Sequence, residues 1–474
     1  MLPLYTRYLS PADYGVISLM LLMLSLMELL FGARLGYAIP KMYAEAHSQQ
    51  GKKALISTAL IFMFVVGVLS AMGVYFTRFT LSDVIFGPHG PTQIVAYFSI
   101  LVLTQSLETH GLDYIRLQQR PWLFLGTSIS KLVIQLSLNI WLIVGLKMGI
   151  VGVALSSVGS SVIVAAALTV YVVLKTGVRY DKALAYKMLA FSWPMWFAGL
   201  AGLYIGSANR YYMRIFSSIG DIGLYALAER FAAIMLTLIW QPFSQYWMVE
   251  SFKYHQDGNK KAFNAVFRIL CASLFITGLG ISVFARPVIH VMATKAFQPA
   301  ATAVPLLVLG AIFASLANFA SFSFLVTEKT RLLSAYSYIT AAVVSLLYIV
   351  LIPPLGYVGA AIAMAAAQGI QLLIIHVHGH RRFDMGISLT FVFFLWGATT
   401  VAYLVANFSM QNFGVILDIA ARSVCWLSAT LLIAYWILRD EDMRLHALEV
   451  MPAPLRPFFS RFIRNAKTRQ DPDS

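Results

Sequence analysis

Between residues 16 and 438 the chain runs apolar thirteen times for eighteen residues or more, at about 16–39, 54–76, 93–112, 122–145, 150–174, 188–208, 222–248, 262–285, 300–326, 332–352, 356–377, 387–407 and 417–438. Each run can cross roughly 30 Å of hydrocarbon at about 1.5 Å per helical residue. Lipid offers no water to backbone N–H and C=O groups, so only helices or closed barrels satisfy them there. These runs lack the two-residue alternation of barrel strands. The expected fold is therefore all-α and polytopic. Composition agrees, since 12% of residues are charged against about 25% in an average soluble domain.

The chain also repeats itself once. Arg7 to Gly15 reads R-Y-L-S-P-A-D-Y-G, Arg214 to Gly223 reads R-I-F-S-S-I-G-D-I-G, and Asp13 and Asp221 stand 208 positions apart. Gly149-Ile-Val-Gly152-Val-Ala returns 207 positions later as Gly356-Tyr-Val-Gly359-Ala-Ala. One offset shared by two landmarks predicts duplication of a large unit, a pattern typical of transporters. Six spans per copy is an even number, so both copies enter the membrane in the same sense. The expectation is two six-helix lobes related by a pseudo-two-fold axis along the membrane normal, plus two extra helices. The corresponding boundaries are 1–174 for the first lobe, 175–187 for a cytoplasmic linker and 188–386 for the second lobe. Two additional helices follow at 387–438, then a basic tail at 439–474.

Charge sets the orientation. Alternate connections, with the tail, carry 23 of the 35 Lys and Arg residues, and the opposite set carries 7. The richer side is predicted to be cytoplasmic, so the net charge of +15 reflects topology and not a nucleic-acid partner. Met1 then falls outside, and Met1-Leu-Pro-Leu-Tyr-Thr-Arg-Tyr8 reads as the outer end of a helix whose beginning is missing, about 13 complete spans of 14.

Several chemistries find no support. There is no G-x-x-x-x-G-K-[ST] phosphate loop, and neither G-x-S-x-G nor H-E-x-x-H occurs. Cys271 and Cys425 lie inside spans and read as packing residues. His376-Val-His-Gly-His380 sits at a span end beside Arg381 and Arg382 and reads as headgroup-facing rather than metal-binding. No catalytic residue, metal or cofactor is expected.

Leu2-Pro-Leu-Tyr-Thr-Arg-Tyr-Leu-Ser-Pro-Ala-Asp-Tyr-Gly15, Asn209-Arg-Tyr-Tyr, Ile222-Gly-Leu-Tyr-Ala-Leu-Ala, Phe297-Gln-Pro-Ala-Ala-Thr-Ala-Val-Pro, Glu328-Lys-Thr and Gly356-Tyr-Val-Gly-Ala-Ala together resemble polysaccharide-repeat-unit flippases of the Wzx or O-antigen type. That group belongs to the multidrug/oligosaccharidyl-lipid/polysaccharide exporter superfamily. The resemblance covers nearly the whole chain. It implies fourteen helices and translocation of a polyprenyl-diphosphate-linked oligosaccharide across the cytoplasmic membrane by alternating access, for surface polysaccharide such as lipopolysaccharide O-antigen. A multidrug or cation antiporter and a peptidoglycan-precursor flippase stand as alternatives within the superfamily. Two departures are Asn209, where an aspartate is common, and the missing first helix. The partners implied are the lipid-linked oligosaccharide, membrane lipids, and a polysaccharide polymerase with glycosyltransferases; no nucleic acid is among them.

Candidate site residues are the charges that a bilayer disfavours, since an ionisable group near its centre costs about 2.5–3.5 kcal/mol on insertion scales. Glu28 and Lys131 lie near the same depth of the first lobe and are expected to meet, either as a structural ion pair or as a coupling pair. Arg34 is placed to snorkel or to grip a diphosphate, for which a guanidinium is well shaped. Arg210, Arg214 and Arg230 cluster toward the outer side of the second lobe, with Glu229 beside Arg230 on another helix face. The substrate-binding set is thus Arg34, Lys131, Arg210, Arg214 and Arg230. Pro194, Pro242 and Pro305 interrupt spans and are hinge candidates. Trp193, Trp196, Trp240 and Trp247 read as interfacial anchors. The tail from Arg439 mixes aromatics with seven basic residues, which suits adhesion to an anionic inner leaflet.

Overall fold

The described part of every expected span is mainly helical in the computed structural model, which describes residues 2–31, 35, 38–46, 48–88, 90–256, 258, 260–408 and 415–438. In chain order the helices are α1 (Leu2–Tyr8), α2 (Pro11–Phe31), α3 (Ala38–Glu45), α4 (Gln49–Phe76), α5 (Arg78–Phe86), α6 (Thr92–Leu117), α7 (Pro121–Asn139), α8 (Gly149–Thr176) and α9 (Lys182–Phe216). They continue with α10 (Ile219–Met235), α11 (Gln241–Gln256), α12 (Lys260–Met292), α13 (Val304–Ala320), α14 (Phe322–Val326), α15 (Thr330–His380), α16 (Leu389–Phe408) and α17 (Val415–Leu438). Among the described residues there is no strand. Nine helices among the described residues are long and apolar enough to cross a membrane. The count of nine is below thirteen partly because α15 is a single helix only by its hydrogen bonds. Gly356 inside it has φ +54° and follows Pro353 and Pro354. The prolines remove two N–H donors and the glycine supplies a backbone turn closed to other residues. The two expected spans 332–352 and 356–377 meet there.

The chain divides into two compact units. The first comprises Met1–Ala226, Met292–Ala296 and Tyr348–Tyr357; the second comprises Leu227–Val291, Phe297–Leu347 and Val358–Ser474. In the first unit α6 packs on α4 and α8, α7 lies on α8, and α2 lies along α9. Lipid tails are as apolar as leucine, so burying leucine drives helix association weakly; close approach at small residues does more. Gly111 of α6 receives the Leu168 side chain of α8, whose Cβ would stand 2.7 Å from a Cβ on the glycine. In the second unit Gly310 of α13 lies against the Ala365 backbone of α15.

The segment 175–187 is held by polar groups of α4. Ser57 donates to the Gly177 carbonyl (3.0 Å) and accepts from the Arg179 N–H (2.7 Å), while Thr58 accepts from the Asp181 N–H (3.1 Å). Asp181 in turn caps α9 by accepting from the N–H groups of Ala183 and Leu184, a side-chain answer to the orphan donors of a helix start.

The expected proline hinges separate into three situations. Pro194 lies within α9, and its side-chain surroundings are outside the described residues. Pro242 is the second residue of α11, which continues from a π-helical turn, Leu236–Trp240, at the end of α10; wider i→i+5 bonding is how a helix absorbs a disrupted register. Pro305 does not interrupt a span. It sits in the first turn of α13, after a 3₁₀ segment at Lys295–Thr302, where a missing N–H costs nothing.

Candidate functional site

The repeated motif explains itself in the structure. Ser10 and Asp13 form a reciprocal cap at the start of α2: the Asp13 N–H donates to Ser10 Oγ (3.1 Å), and Ser10 N–H donates to Asp13 Oδ2 (2.9 Å). At the start of α10 the second copy does the same work, with the Asp221 N–H donating to Ser218 Oγ (3.1 Å) and the Ser217 hydroxyl donating to the Asp221 carboxylate. The first is a capping box with aspartate in the acidic position; in the second the Ser217 hydroxyl, and not the N-cap N–H, donates to the aspartate. The glycines that end the two motifs, Gly15 and Gly223, bring α2 and α10 into backbone contact. A Cβ on Gly15 would overlap the Ile219 carbonyl oxygen, and one on Gly223 would overlap the Pro11 carbonyl oxygen. The second landmark joins the first, because a Cβ on Gly356 would overlap the Asp221 carboxylate.

Beside this crossing, α9 presents two arginines one helical turn apart. Arg210 donates through Nε to the buried Ser18 hydroxyl of α2 (2.7 Å) and through Nη1 to the Gly206 carbonyl (3.2 Å) and Asn209 Oδ1 (3.4 Å). Asn209 is buried and also accepts from the Arg210 N–H (2.7 Å). Arg214 lies over the backbone of Gly87, where only a glycine leaves room. Its Nε is buried and has no hydrogen-bond partner among the described residues. Leaving such a donor unmet is costly, and costly arrangements that persist mark functional positions. Tyrosines share this stretch of α9: the hydroxyls of Tyr204 and Tyr212 are 3.1 Å apart, and Tyr212 packs on Tyr348 with ring centroids 5.4 Å apart.

Lys131 meets a different acid from the one expected. Its ammonium lies 2.7 Å from both carboxylate oxygens of Glu108 on α6, and Ser161 of α8 donates to Glu108 Oε2 at 3.2 Å. The Glu108 side chain is 8% exposed and that of Lys131 31%. The expected pairing with Glu28 is therefore corrected to Glu108. Position along a span sets depth alone, and α7 faces α6 and α8; the Glu28 side chain lies outside the described residues.

Of the other candidates, Arg34 lies outside the described residues, as does the tail from Arg439. Arg230 belongs to the second unit and is exposed, and the adjacent Glu229 is half-buried. Trp247 stacks on Phe319 at 4.0 Å between centroids, within an aromatic core of the second unit that includes Phe243 and Phe263; Trp240 packs on Phe243. The side chains of Trp193 and Trp196 are outside the described residues. His376 stacks on His380, His378 donates through Nδ1 to the Ile374 carbonyl, and His380 Nδ1 lies 3.0 Å from Asp384.

Sequence reasoning passed over Arg422, which the structure buries. It donates through Nε to Asp418 (2.8 Å) and through Nη1 to Asn407 Oδ1 (2.9 Å) and the Val283 carbonyl (3.0 Å). One turn on, Trp426 donates to the Ile276 carbonyl (3.0 Å). Together they fasten α17 to α12. The i, i+4 spacing of Asp418, Arg422 and Trp426 was the available signal.

Comparison with known proteins places this architecture. Residues 4–302 match the family described as "Polysaccharide biosynthesis protein". No curated protein matches the chain in sequence. Among solved structures, the lipid II flippase MurJ in an inward closed conformation is similar at a TM-score of 0.74 and 14% identity, over 92% of this chain and 95% of that one. An inward-facing multidrug resistance MATE family transporter of the MOP superfamily is similar at 0.63 and 13% identity, over 83% of this chain and 94% of that one. An outward-facing one is similar at 0.53 and 13% identity, over 83% and 90%. The fold is shared with these structures, and the resemblance to polysaccharide flippases read from the motifs between Leu2 and Gly359 is borne out.

Proposed function

The chain belongs to the polysaccharide biosynthesis protein family, and from that premise we propose that it carries a polyprenyl-diphosphate-linked oligosaccharide across the cytoplasmic membrane by alternating access. The observation that supports this most directly is Arg214, whose buried Nε has no hydrogen-bond partner among the described residues. With Arg210 one turn away, α9 offers two guanidinium groups, a geometry suited to the oxygens of a diphosphate. Tyr204 and Tyr212 on the same helix supply ring faces of the kind that carry sugars. The lipid tail stays in the bilayer.

A multidrug antiporter would need acids to receive cationic drugs, whereas the groups on α9 are basic. A flippase for a lipid-linked peptidoglycan precursor meets the same diphosphate and differs in the glycan. Depletion of the protein in its native host separates these readings. A lipid-linked surface-polysaccharide unit accumulating on the inner leaflet supports the proposal, and its identification names the substrate. Accumulation of a peptidoglycan precursor instead would assign the alternative, and no lipid-linked glycan accumulating would overturn both.

A further inference from the structure

Within the first unit the interface of α7 and α8 carries a polar track that neither packing nor substrate contact requires. On α7, Lys131, Gln135 and Asn139 succeed one another at four-residue spacing and share one face of the helix. Each has a partner across the interface or beyond it. Lys131 and Ser161 hold Glu108. Gln135 donates to Ser157 at 3.3 Å. Ser156 donates to Asn139 Oδ1 at 2.6 Å, and Asn139 Nδ2 donates to the Tyr5 hydroxyl of α1 at 3.0 Å. From Lys131 to Asn139 the rise is about 12 Å, and a hydroxyl or amide lies within each turn. Such groups are expensive in a membrane protein and mark ion or proton routes.

We infer that Glu108 is the proton-binding carboxylate that couples transport to the transmembrane proton gradient, with Lys131 as its counter-ion and the Tyr5–Asn139–Ser156–Ser157–Gln135–Ser161 track as its access from the outer side. This rests on the transport reading and on the orientation set by the basic connections. The step is a simple protonation. A proton from the outer side adds to a carboxylate oxygen of Glu108, giving the neutral acid and leaving the Lys131 ammonium without an ionic partner. Its release on the inner side restores the carboxylate and the pair. The described groups facing Glu108 are Lys131 from α7 and Ser161 from α8. Two residues along its own helix His110 turns away, donating through Nε2 to the Ile56 carbonyl of α4 at 3.2 Å. One turn further along, Asp113 pairs with Arg116 at 3.1 Å.

A pair that served only to join α6 to α7 would need neither a carboxylate in preference to an amide nor a polar track leading away from it. The test uses the full chain in proteoliposomes, with a fluorescent polyprenyl diphosphate monosaccharide as probe. Its flipping is timed with equal pH on both sides and with the outer side acidic. The wild type is expected to flip several-fold faster under the gradient. In Glu108→Gln, which keeps a carbonyl oxygen for Lys131 and Ser161, the two rates should become equal. Glu108→Asp should restore the gradient response in part, and Tyr5→Phe should weaken it. An unaltered ratio in Glu108→Gln overturns the inference. If Glu108→Gln is not recovered folded, Tyr5→Phe decides, and a wild-type ratio there overturns the proposed route and the inference with it. No flipping of the probe by the wild type in either condition would instead count against the transport reading.

Discussion

Gly15 and Gly223 are reciprocal: each holds its helix against the carbonyl oxygen of the residue that begins the other motif's helix, Ile219 for Gly15 and Pro11 for Gly223. Ile219 is to the second copy what Pro11 is to the first, at the 208-residue offset. A contact in which i meets j′ and j meets i′ is the signature of a two-fold relation, here between the two copies of one short motif within the first unit. The duplication is thus written into a single helix crossing, with a serine–aspartate cap at each entrance.

Because both glycines meet backbone rather than the end of a flexible side chain, neither Gly15→Ala nor Gly223→Ala can be absorbed by a rotamer change. Each is expected to push α2 from α10 and to cost about 1–3 kcal/mol, the range of over-packed sites. The two should cost similar amounts, and the double variant less than their sum, since one methyl already separates the helices. Thermal unfolding in detergent measures this, and strict additivity would show that the two contacts act independently.

The helices were legible because lipid enforces them: runs of eighteen apolar residues leave few alternatives, and Gly356 after two prolines marked the break inside α15. The repeat was legible as an offset, although its cause was not. Nothing in a 208-residue spacing says that the two copies touch. The partner of Lys131 was missed for a physical reason. Reading along a span gives depth, and two acids at compatible depths, Glu28 and Glu108, are separated only by which face of which neighbour α7 meets. Arg422 was visible as a charge within a span, but its three partners come from three different helices. Pro305 was misread as an interruption because hydropathy alone merges a 3₁₀ segment with the helix that follows it.

Arg210 and Arg214 should respond differently to substitution. Arg210 is already bonded to Ser18 and Gly206, so Arg210→Ala removes packing between α9 and α2 as well as a cation. Arg214 Nε has no hydrogen-bond partner among the described residues, and Arg214→Lys keeps the charge but loses the fork. Transport by Arg214→Lys is expected to fall in part, and by Arg214→Ala strongly, at unchanged abundance in the membrane. Wild-type transport by Arg214→Ala would remove that residue from the mechanism.

Arg422 ties α17 to α12 and α16 within the second unit. Its side chain is 3% exposed and that of Asp418 19%, so Arg422→Met strands a carboxylate in a nearly closed place. Breaking one side of such a pair typically costs about 3–5 kcal/mol. The effect should appear as a lowered thermal midpoint and earlier protease cleavage before α17. Replacing both members, Arg422→Met with Asp418→Asn, should recover much of the loss. If the double variant melts no higher than the single one, the hydrogen bonds to Asn407 and Val283, and not the ion pair, hold α17.

The Glu108–Lys131 pair makes the same contrast inside the first unit, with an asymmetry that tells the partners apart. Glu108 is the more buried, so removing Lys131 strands the group least able to find water. Lys131→Met should therefore destabilise more than Glu108→Gln, in which the amide still accepts from the lysine and from Ser161. The 31% exposure of the Lys131 side chain lets solvent screen part of the loss, so the cost should stay below the roughly 3–5 kcal/mol of a fully enclosed pair. The double variant Glu108→Gln with Lys131→Met should unfold at a temperature nearer the wild type than Lys131→Met alone, since no charge is left unpaired. Thermal unfolding of the four proteins in one detergent gives the coupling energy directly. Equal losses from the two single changes, with a double loss equal to their sum, would mean that the two charges do not depend on one another.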